Sequence, residues 1–373
     1  IASALYGMNT VNGLANFSTK SPFSSPGLNF MQKTGVMHIG DKDSNPKIYS
    51  ETSIRFAHII TKRVAFKINA TYNRGYDWIA NNYTDQNAAA NKSTNLIGAD
   101  NPGADPINIY GNESSNRKTI SLQGKNYVVA RTGYAEKDVL DYSLKNIKGD
   151  AGIYYRFSDQ QTLSYTFHFA ILDNVYHRAN RFRLQDYFLQ QHALQYSSKS
   201  LQARIYVNNE NTGKSYNLRS MAENIDRDFK PDNQWYQDYT TGYNAAFQSG
   251  ATVAAAHHEA RQFADNGRFE PGTDSFNQSL AKLSDINNWD RGAALRVKAS
   301  FVQAEAQWNL TESWLHAIKE NAGLDILTGL DHRTYIIKPD ANYFINPLKG
   351  KEYDNIHYGK TGGFISVTKT LLT

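Results

Sequence analysis

The sequence contains no cysteine in its 373 residues, which excludes both a disulfide framework and a thiolate metal site. It also lacks any run of the roughly 20 apolar residues that a membrane helix requires, so a helical membrane protein is excluded. A membrane β-barrel is not excluded, because its strands alternate apolar and polar residues and keep the mean hydropathy low.

Clusters of basic residues are absent as well. The formal net charge is +5 and the pI is about 9.0, but Lys and Arg are scattered along the chain, which argues against a nucleic-acid groove. No G-x-S-x-G elbow and no phosphate-binding loop occurs. We therefore predict no catalytic residue, no enzyme activity and no cofactor.

Aromatic residues, by contrast, are abundant. The chain has 24 Tyr, 18 Phe and 5 Trp, while its mean hydropathy is −0.60. This combination is unusual for a soluble enzyme of this size. Several large aromatics fall near the ends of predicted strands, where membrane barrels carry aromatic girdles: Tyr72, Tyr76, Trp78 and Trp308.

Strict alternation is the main secondary-structure signal. From position 162, apolar residues at odd positions alternate with small or polar residues at even positions: Leu163, Tyr165, Phe167, Phe169 and Ile171 against Thr162, Ser164, Thr166, His168 and Ala170. The same period recurs in 64–73, 150–157 and 201–208. A period of two predicts strands with one apolar and one polar face.

This pattern predicts ten strands, at 28–39, 47–60, 64–78, 142–157, 162–177, 181–197, 201–213, 293–309, 315–337 and 354–370. The tight links fall on one parity, and they are 61–63, 158–161, 198–200 and 310–314. The two very long segments, 79–141 and 214–292, fall on the other. This parity is typical of an even-stranded outer-membrane barrel, whereas a Greek-key sandwich has no reason to keep it. A phase change within 293–309 predicts a β-bulge near Phe301 and Val302.

The first 23 residues, IASALYGMNTVNGLANFSTKSPF, carry a pattern of their own. The run resembles the end of the plug domain of TonB-dependent outer-membrane receptors, where a stretch like L-Y-G-x-x-A-x-x-G-V-x-N-x-x-T-K leads into the first barrel strand. Thr10 replaces the usual small Ala. The matching residues are Leu5, Tyr6, Gly7, Asn12, Gly13, Asn16, Thr19 and Lys20.

Segments further along resemble receptors of this class from Bacteroidetes, namely 224–247, 287–295, 339–347 and 358–371. The resemblance implies an all-β, transmembrane antiparallel barrel with about 22 strands in the full protein, of which about ten are predicted here. Residues 1–25 would be the end of the plug domain with its linker, and residues 26–373 the first portion of the barrel. The chain is then expected to be part of a longer protein.

The resemblance also implies a function: active import of a nutrient ligand across the bacterial outer membrane, the ligand being a glycan, a peptide or a metal chelate. The implied partners are TonB with its inner-membrane energising complex, outer-membrane lipid and a surface lipoprotein, but no nucleic acid. Two alternatives stay open. One is a plugged barrel that serves as a scaffold subunit of a larger assembly. The other is a surface polysaccharide-degrading enzyme, which needs a carboxylate pair drawn from Glu270, Asp274, Asp285 and Asp290.

The two long segments are expected at the extracellular mouth, where a ligand would bind. Aromatic rings in the second segment have two possible roles: they stack on a ligand, or they form the small core of the loop itself, which is the default expectation. The rings in question are Trp235, Tyr236, Tyr239, Tyr243 and Trp289. The candidate ligand-binding residues are Trp235, Tyr236, Tyr239 and Trp289.

Two short patterns resemble metal motifs incompletely. In the sequence His257-His258-Glu259, Gln262 stands where a zinc motif needs its second His, so one or two helices between Trp235 and Ala264 are expected instead. Residues 41–45 begin like a calcium loop, but Pro46 stands where the turn needs Gly. A hairpin loop is therefore expected there, and no metal site is predicted.

Overall fold

The computed structural model describes residues 19–113, 116–177, 181–339 and 344–369. One large antiparallel sheet dominates these residues. Most of the plug-like pattern lies outside the described residues, which leaves its structure untested: Leu5, Tyr6, Gly7, Asn12, Gly13 and Asn16.

The strands are listed in chain order. They are β1 (Gly27–Met37), β2 (Lys47–Ile59), β3 (Val64–Tyr76), β4 (Ile109–Tyr110), β5 (Lys118–Leu122), β6 (Lys125–Val129), β7 (Tyr134–Ala135), β8 (Ser143–Ser158), β9 (Gln161–Tyr176), β10 (Phe182–Ser197), β11 (Leu201–Asn211), β12 (Tyr216–Asn217), β13 (Lys298–Asn309), β14 (Leu324–Lys338) and β15 (Ile356–Lys369).

Helices occur only between strands in the described residues. They are α1 (Glu136–Val139), α2 (Leu218–Phe229), α3 (Asp232–Gln248), α4 (Val253–Ala264), α5 (Asp274–Asp285) and α6 (His316–Ala322). Across the described ranges, none of the helices has the length and apolar character needed to cross a membrane.

Ten long strands form an antiparallel meander in the order β1-β2-β3-β8-β9-β10-β11-β13-β14-β15, and the short β12 also pairs with β10. Each of the ten overlaps a strand predicted from the alternation, so that prediction is confirmed. In the described residues β1 and β15 do not pair with each other, and the sheet is therefore not closed. Two small two-stranded sheets, β4-β7 and the hairpin β5-β6, lie outside it.

Cross-strand register keeps the two faces of the sheet distinct. Phe167 of β9 lies opposite Ala151 of β8 and His192 of β10, whereas Thr166 lies opposite Gly152. Apolar side chains on the first face remain open, with 42% to 52% of their surface exposed: Ile54, Ile68, Ile153, Leu194 and Ile205. The predicted division into an apolar and a polar face is confirmed.

Two predicted strand starts are wrong. Residues 293–297 are not strand, because Ala293 and Ala294 are buried among the segments that precede β13. Residues 316–322 form α6, which ends at Gly323 in the left-handed conformation, with φ of 60°. The link between β13 and β14 is therefore longer than the predicted 310–314.

The bulge predicted near Phe301 and Val302 is also wrong, because β11 and β13 keep a continuous register over their whole length. The phase changes for another reason. Phe301 lies on the polar face, where its ring is 5.8 Å from that of Tyr206 and 4.8 Å from that of Tyr335. Register shifts do occur in β10 next to Asp186, whose φ is 51°, and near the end of β8. Asp is one of the few residue types that tolerate positive φ.

The connections differ at the two ends of the sheet. Short links at 60–63, 159–160 and 198–200 lie at one end, and the long segments 77–142 and 212–297 leave from the other. The predicted parity is confirmed for these links. Both long segments thus leave from the same end of the sheet, where each joins two neighbouring strands, β3 to β8 and β11 to β13.

The sequence predicts that the apolar face contacts lipid. On that prediction, replacing Phe167 by Arg should destabilise the protein by about 2–4 kcal/mol, because the charge would face hydrocarbon. Thr166→Arg is the matched control, since it lies one residue away on the polar face and should fold almost normally. Heat-modifiable migration in detergent gels measures the folded fraction. Equal folding of the two variants would contradict a lipid-facing apolar face.

Candidate functional site

Segments 77–142 and 212–297 fold together at one end of the sheet into a body that we call the cap. Two hydrophobic clusters each draw buried side chains from both segments. The first combines Tyr134, Val139 and Leu140 with Met221, Ile225 and Phe276. The second combines Leu96, Leu122 and Val129 with Trp235, Tyr239 and Ala260. Each segment therefore completes the core of the other.

Arg131 is a polar link between the two segments. Its side chain is buried, and its guanidinium donates to the backbone oxygen of Asp226 at 2.7 Å and to that of Lys230 at 2.8 Å. It also forms an ion pair with Asp232 at 2.8 Å. These contacts hold the turn between α2 and α3 against the first segment.

Glu136 links the cap to the sheet. Its carboxylate is fully buried and accepts two hydrogen bonds of 2.7 Å from Arg181, which immediately precedes β10. The hydroxyls of Tyr110 and Tyr142 each donate to the same carboxylate at 2.9 Å. A buried carboxylate needs a charged partner and further hydrogen bonds, and Glu136 has both.

Two other acids of the cap have pKa values raised towards neutral pH. Burial raises the pKa of Glu113 to about 7 and that of Asp226 to about 6. Glu113 accepts a hydrogen bond from the Gly111 amide at 2.8 Å, and its other oxygen is 3.9 Å from Arg219. The charge state of the cap therefore changes near neutral pH.

The predicted ligand-binding aromatics of α3 lie inside the cap. Trp235, Tyr236 and Tyr239 are buried. The Trp235 indole donates to Asp265 at 2.8 Å, and the Tyr236 hydroxyl donates to the Val129 carbonyl at 3.0 Å. Burial of these three rings is what a role in the core of the loop requires. Stacking of the same rings on a ligand stays a prediction.

Trp289, the fourth candidate, is half-buried where the cap meets the sheet. Its indole donates to the Ala294 carbonyl at 2.9 Å, and its ring lies 6.0 Å from that of Phe182 at the start of β10. The structure therefore separates it from the aromatics of α3, and its ligand role also stays a prediction.

The side chains of the incomplete metal motifs contact other groups of the protein. His257 is buried, accepts or donates a 2.8 Å hydrogen bond with the Tyr239 hydroxyl, and has its pKa lowered to about 4 by burial. His258 faces outward towards Asp100, at 3.1 Å. In the region around 41–45, Asp43 binds Lys137 of the cap at 3.0 Å. No group of three potential metal ligands occurs in the described ranges.

The polar face of the sheet carries residues 19–25, which we call the docked segment. Lys67 of β3 donates from its ammonium to the Thr19 hydroxyl at 2.7 Å and to the Lys20 carbonyl at 3.2 Å. Thr19 and Lys20 are the two residues of the plug-like pattern that the structure describes. The arrangement places the end of that pattern against the polar face.

Sequence reasoning missed Lys67, Arg131 and Glu136. Lys67 occupies a polar position of the alternating stretch 64–73, a pattern that predicts its face of the sheet but not its partners. The partners of Arg131 and Glu136 lie far away in sequence, 95 residues in the case of Asp226 and 45 in the case of Arg181. In the sequence, Arg131 and Glu136 are charged residues beside apolar positions in a long loop. That pattern does not distinguish a buried charge from a solvated one.

No family model matches the chain, and a search of curated proteins finds no match. Among solved structures, a mutant of the ferric enterobactin receptor PfeA from Pseudomonas aeruginosa is similar at 10% identity and a TM-score of 0.35 over 91% of this chain. The siderophore receptor PiuA from Acinetobacter baumannii is similar at 11% identity and a TM-score of 0.28, over 86% of this chain and 39% of its own. A Pseudomonas aeruginosa FadL homologue is similar at 9% identity and a TM-score of 0.20, with 86% and 66% covered. The chain spans 36% of the length of the PfeA mutant.

Truncating Trp235 to Ala should destabilise the cap by about 3–5 kcal/mol, because it opens a cavity in a well-packed core. Trp78→Ala is the control, since this residue of the same body is 58% exposed and its loss should have little effect. Hydrogen exchange of cap amides measures both. Unchanged protection in Trp235→Ala would contradict the structural role.

Raising the pH from about 6 to about 8 should weaken the cap. The pKa of Glu113 is about 7 in the folded cap and about 4.3 in an unfolded chain, so the folded state binds the proton more tightly. The resulting stabilisation is complete below the unfolded pKa and is lost as the pH rises through the folded pKa. Hydrogen exchange corrected for intrinsic rates measures the change.

Glu113→Gln should flatten this pH dependence, because the amide does not titrate. Asp290→Asn, a change at an exposed carboxylate of the same body, should leave the dependence as it is. The same loss of protection in Glu113→Gln as in the unmodified protein would show that another group is responsible.

Proposed function

We propose that this chain forms part of the wall and the extracellular cap of a TonB-dependent transporter that imports a nutrient ligand across the bacterial outer membrane. One observation carries the proposal. The sheet has an open apolar face on one side, and on its polar side it holds Thr19 and Lys20, the end of the plug-like pattern.

The open apolar face favours a lipid environment. In water, a contiguous apolar surface spread over this many strands would promote aggregation or call for a partner. Against lipid the same side chains are in their preferred solvent, and the antiparallel strands satisfy one another's backbone groups, as a membrane requires. The polar face would then line the lumen of a barrel, whose full form would have about 22 strands.

The position of the docked segment on the polar face favours a lumen that is blocked rather than open. A plug that ends on the inner wall would block diffusion, so passage would need energy. We propose that TonB and the inner-membrane complex supply that energy from the proton-motive force. A surface lipoprotein and an origin in a Bacteroidetes-type importer belong to the same proposal and rest on the sequence resemblance.

We place ligand binding at the cap, because it lies at the long-loop end of the sheet. Its exposed aromatic side chains, Trp78, Tyr83 and Phe263, offer ring faces that can stack on a sugar or pack against a chelate or peptide. The ligand classes stay those implied by the resemblance. The buried rings of α3 would then support this surface from beneath.

Uptake by energised cells tests the proposal. Cells that express the protein are given radiolabelled ferric siderophores, oligosaccharides or oligopeptides, and surface binding and import are measured separately. One class should be imported, and either a protonophore or the loss of TonB should abolish import while surface binding persists. Trp235→Ala, by weakening the cap, should lower binding.

Import that is equal with and without TonB would contradict the transporter. A scaffold subunit predicts a different result, namely stoichiometric co-purification with other outer-membrane proteins and no import of any class.

A further inference from the structure

We propose that Arg55, Lys67 and Arg156 form a three-point anchor that fixes the docked segment to the wall. These cations lie on β2, β3 and β8, three adjacent strands, and all of them contact residues 19–25. The inference rests on the proposed function only in taking the polar face as a lumen. The anchor would define where a plug is attached inside it.

Lys67 is the most buried of the three cations and donates two hydrogen bonds to the docked segment. Its side chain lies in the middle of a strand, yet the residue is only 4% exposed. Among the described residues it forms no ion pair with a carboxylate, and the nearby ring of Tyr154 is 5.6 Å from its ammonium. Two of its three donor positions are used by Thr19 and Lys20. A buried ammonium is costly unless it is hydrogen-bonded, so the docked segment compensates for its burial.

The two arginines hold the rest of the segment. Arg55 donates to the Ser25 carbonyl at 2.8 Å, and the guanidinium of Arg156 lies 3.9 Å from the centre of the Phe23 ring. Backbone carbonyls and an aromatic face are contacts that do not depend on the charge of the segment. The anchor therefore recognises its shape and backbone.

The segment is already shaped for docking. Pro22 is buried, and the Ser25 amide donates to the Ser21 carbonyl at 3.0 Å, which closes a turn. Proline fixes φ and thereby reduces the entropy lost when the segment is held. A preformed turn on three cations is a stable attachment rather than a passing contact.

A spin label on the segment tests the anchor. This chain has no cysteine, so Ser24→Cys gives a unique site within it, and Ser24 is exposed. Electron paramagnetic resonance of the intact purified protein then measures the ratio of mobile to immobile label. Lys67→Met should raise that ratio by about tenfold or more, because hydrogen bonds to a charged group are lost. Arg55→Met should raise it independently.

Lys33→Met is the matched control. Lys33 lies on the same face, in β1, and pairs with Glu51 at 3.6 Å rather than with the segment, so its loss should leave the label immobile. Equal label mobility in the Lys67, Arg55 and Lys33 variants would overturn the anchor. Since no transport is measured, this failure is distinct from that of the proposed function, which would appear as absent TonB-dependent import with the anchor intact.

Discussion

Backbone hydrogen bonding between antiparallel neighbours is the constraint on which the rest of this structure depends. Ten strands follow one another in sequence order, with the cap segments inserted between β3 and β8 and between β11 and β13. Each inner strand satisfies its peptide groups on two neighbours, which leaves the side chains alone to decide what each face contacts. The period of two then sends apolar groups to one side and polar groups to the other. Both the open apolar face and the placement of the docked segment on the polar face depend on this separation.

The cap follows a different principle, because it depends on charges that are buried. Arg131 of the first segment contacts Asp226 of α2 and Asp232 of α3, and Glu136 pairs with Arg181. A buried charge that loses its partner is strongly destabilising. Such contacts therefore favour one relative placement of the two segments, while the hydrophobic clusters supply most of the cohesion. The raised pKa of Glu113 is a consequence of the same burial.

Residues 19–25 lie on the polar face of the sheet. The polar face holds this segment by means of Lys67 and two arginines. These polar contacts satisfy a largely buried ammonium, which would be costly without hydrogen bonds.

The sequence by itself determined the strands, their two faces and the parity of most links, because alternation and turn length are local properties. It misplaced the starts of β13 and β14, since Ala293 and Ala294 belong to the cap and α6 precedes β14. The predicted bulge near Phe301 is absent, because Phe301 belongs to an aromatic cluster on the polar face, and alternation cannot reveal such a cluster. Only the tertiary structure decided that two distant segments share one core, that Trp235 lies inside it and that Lys67 holds the docked segment. Each of these depends on contacts between residues far apart in the chain, which no local pattern encodes.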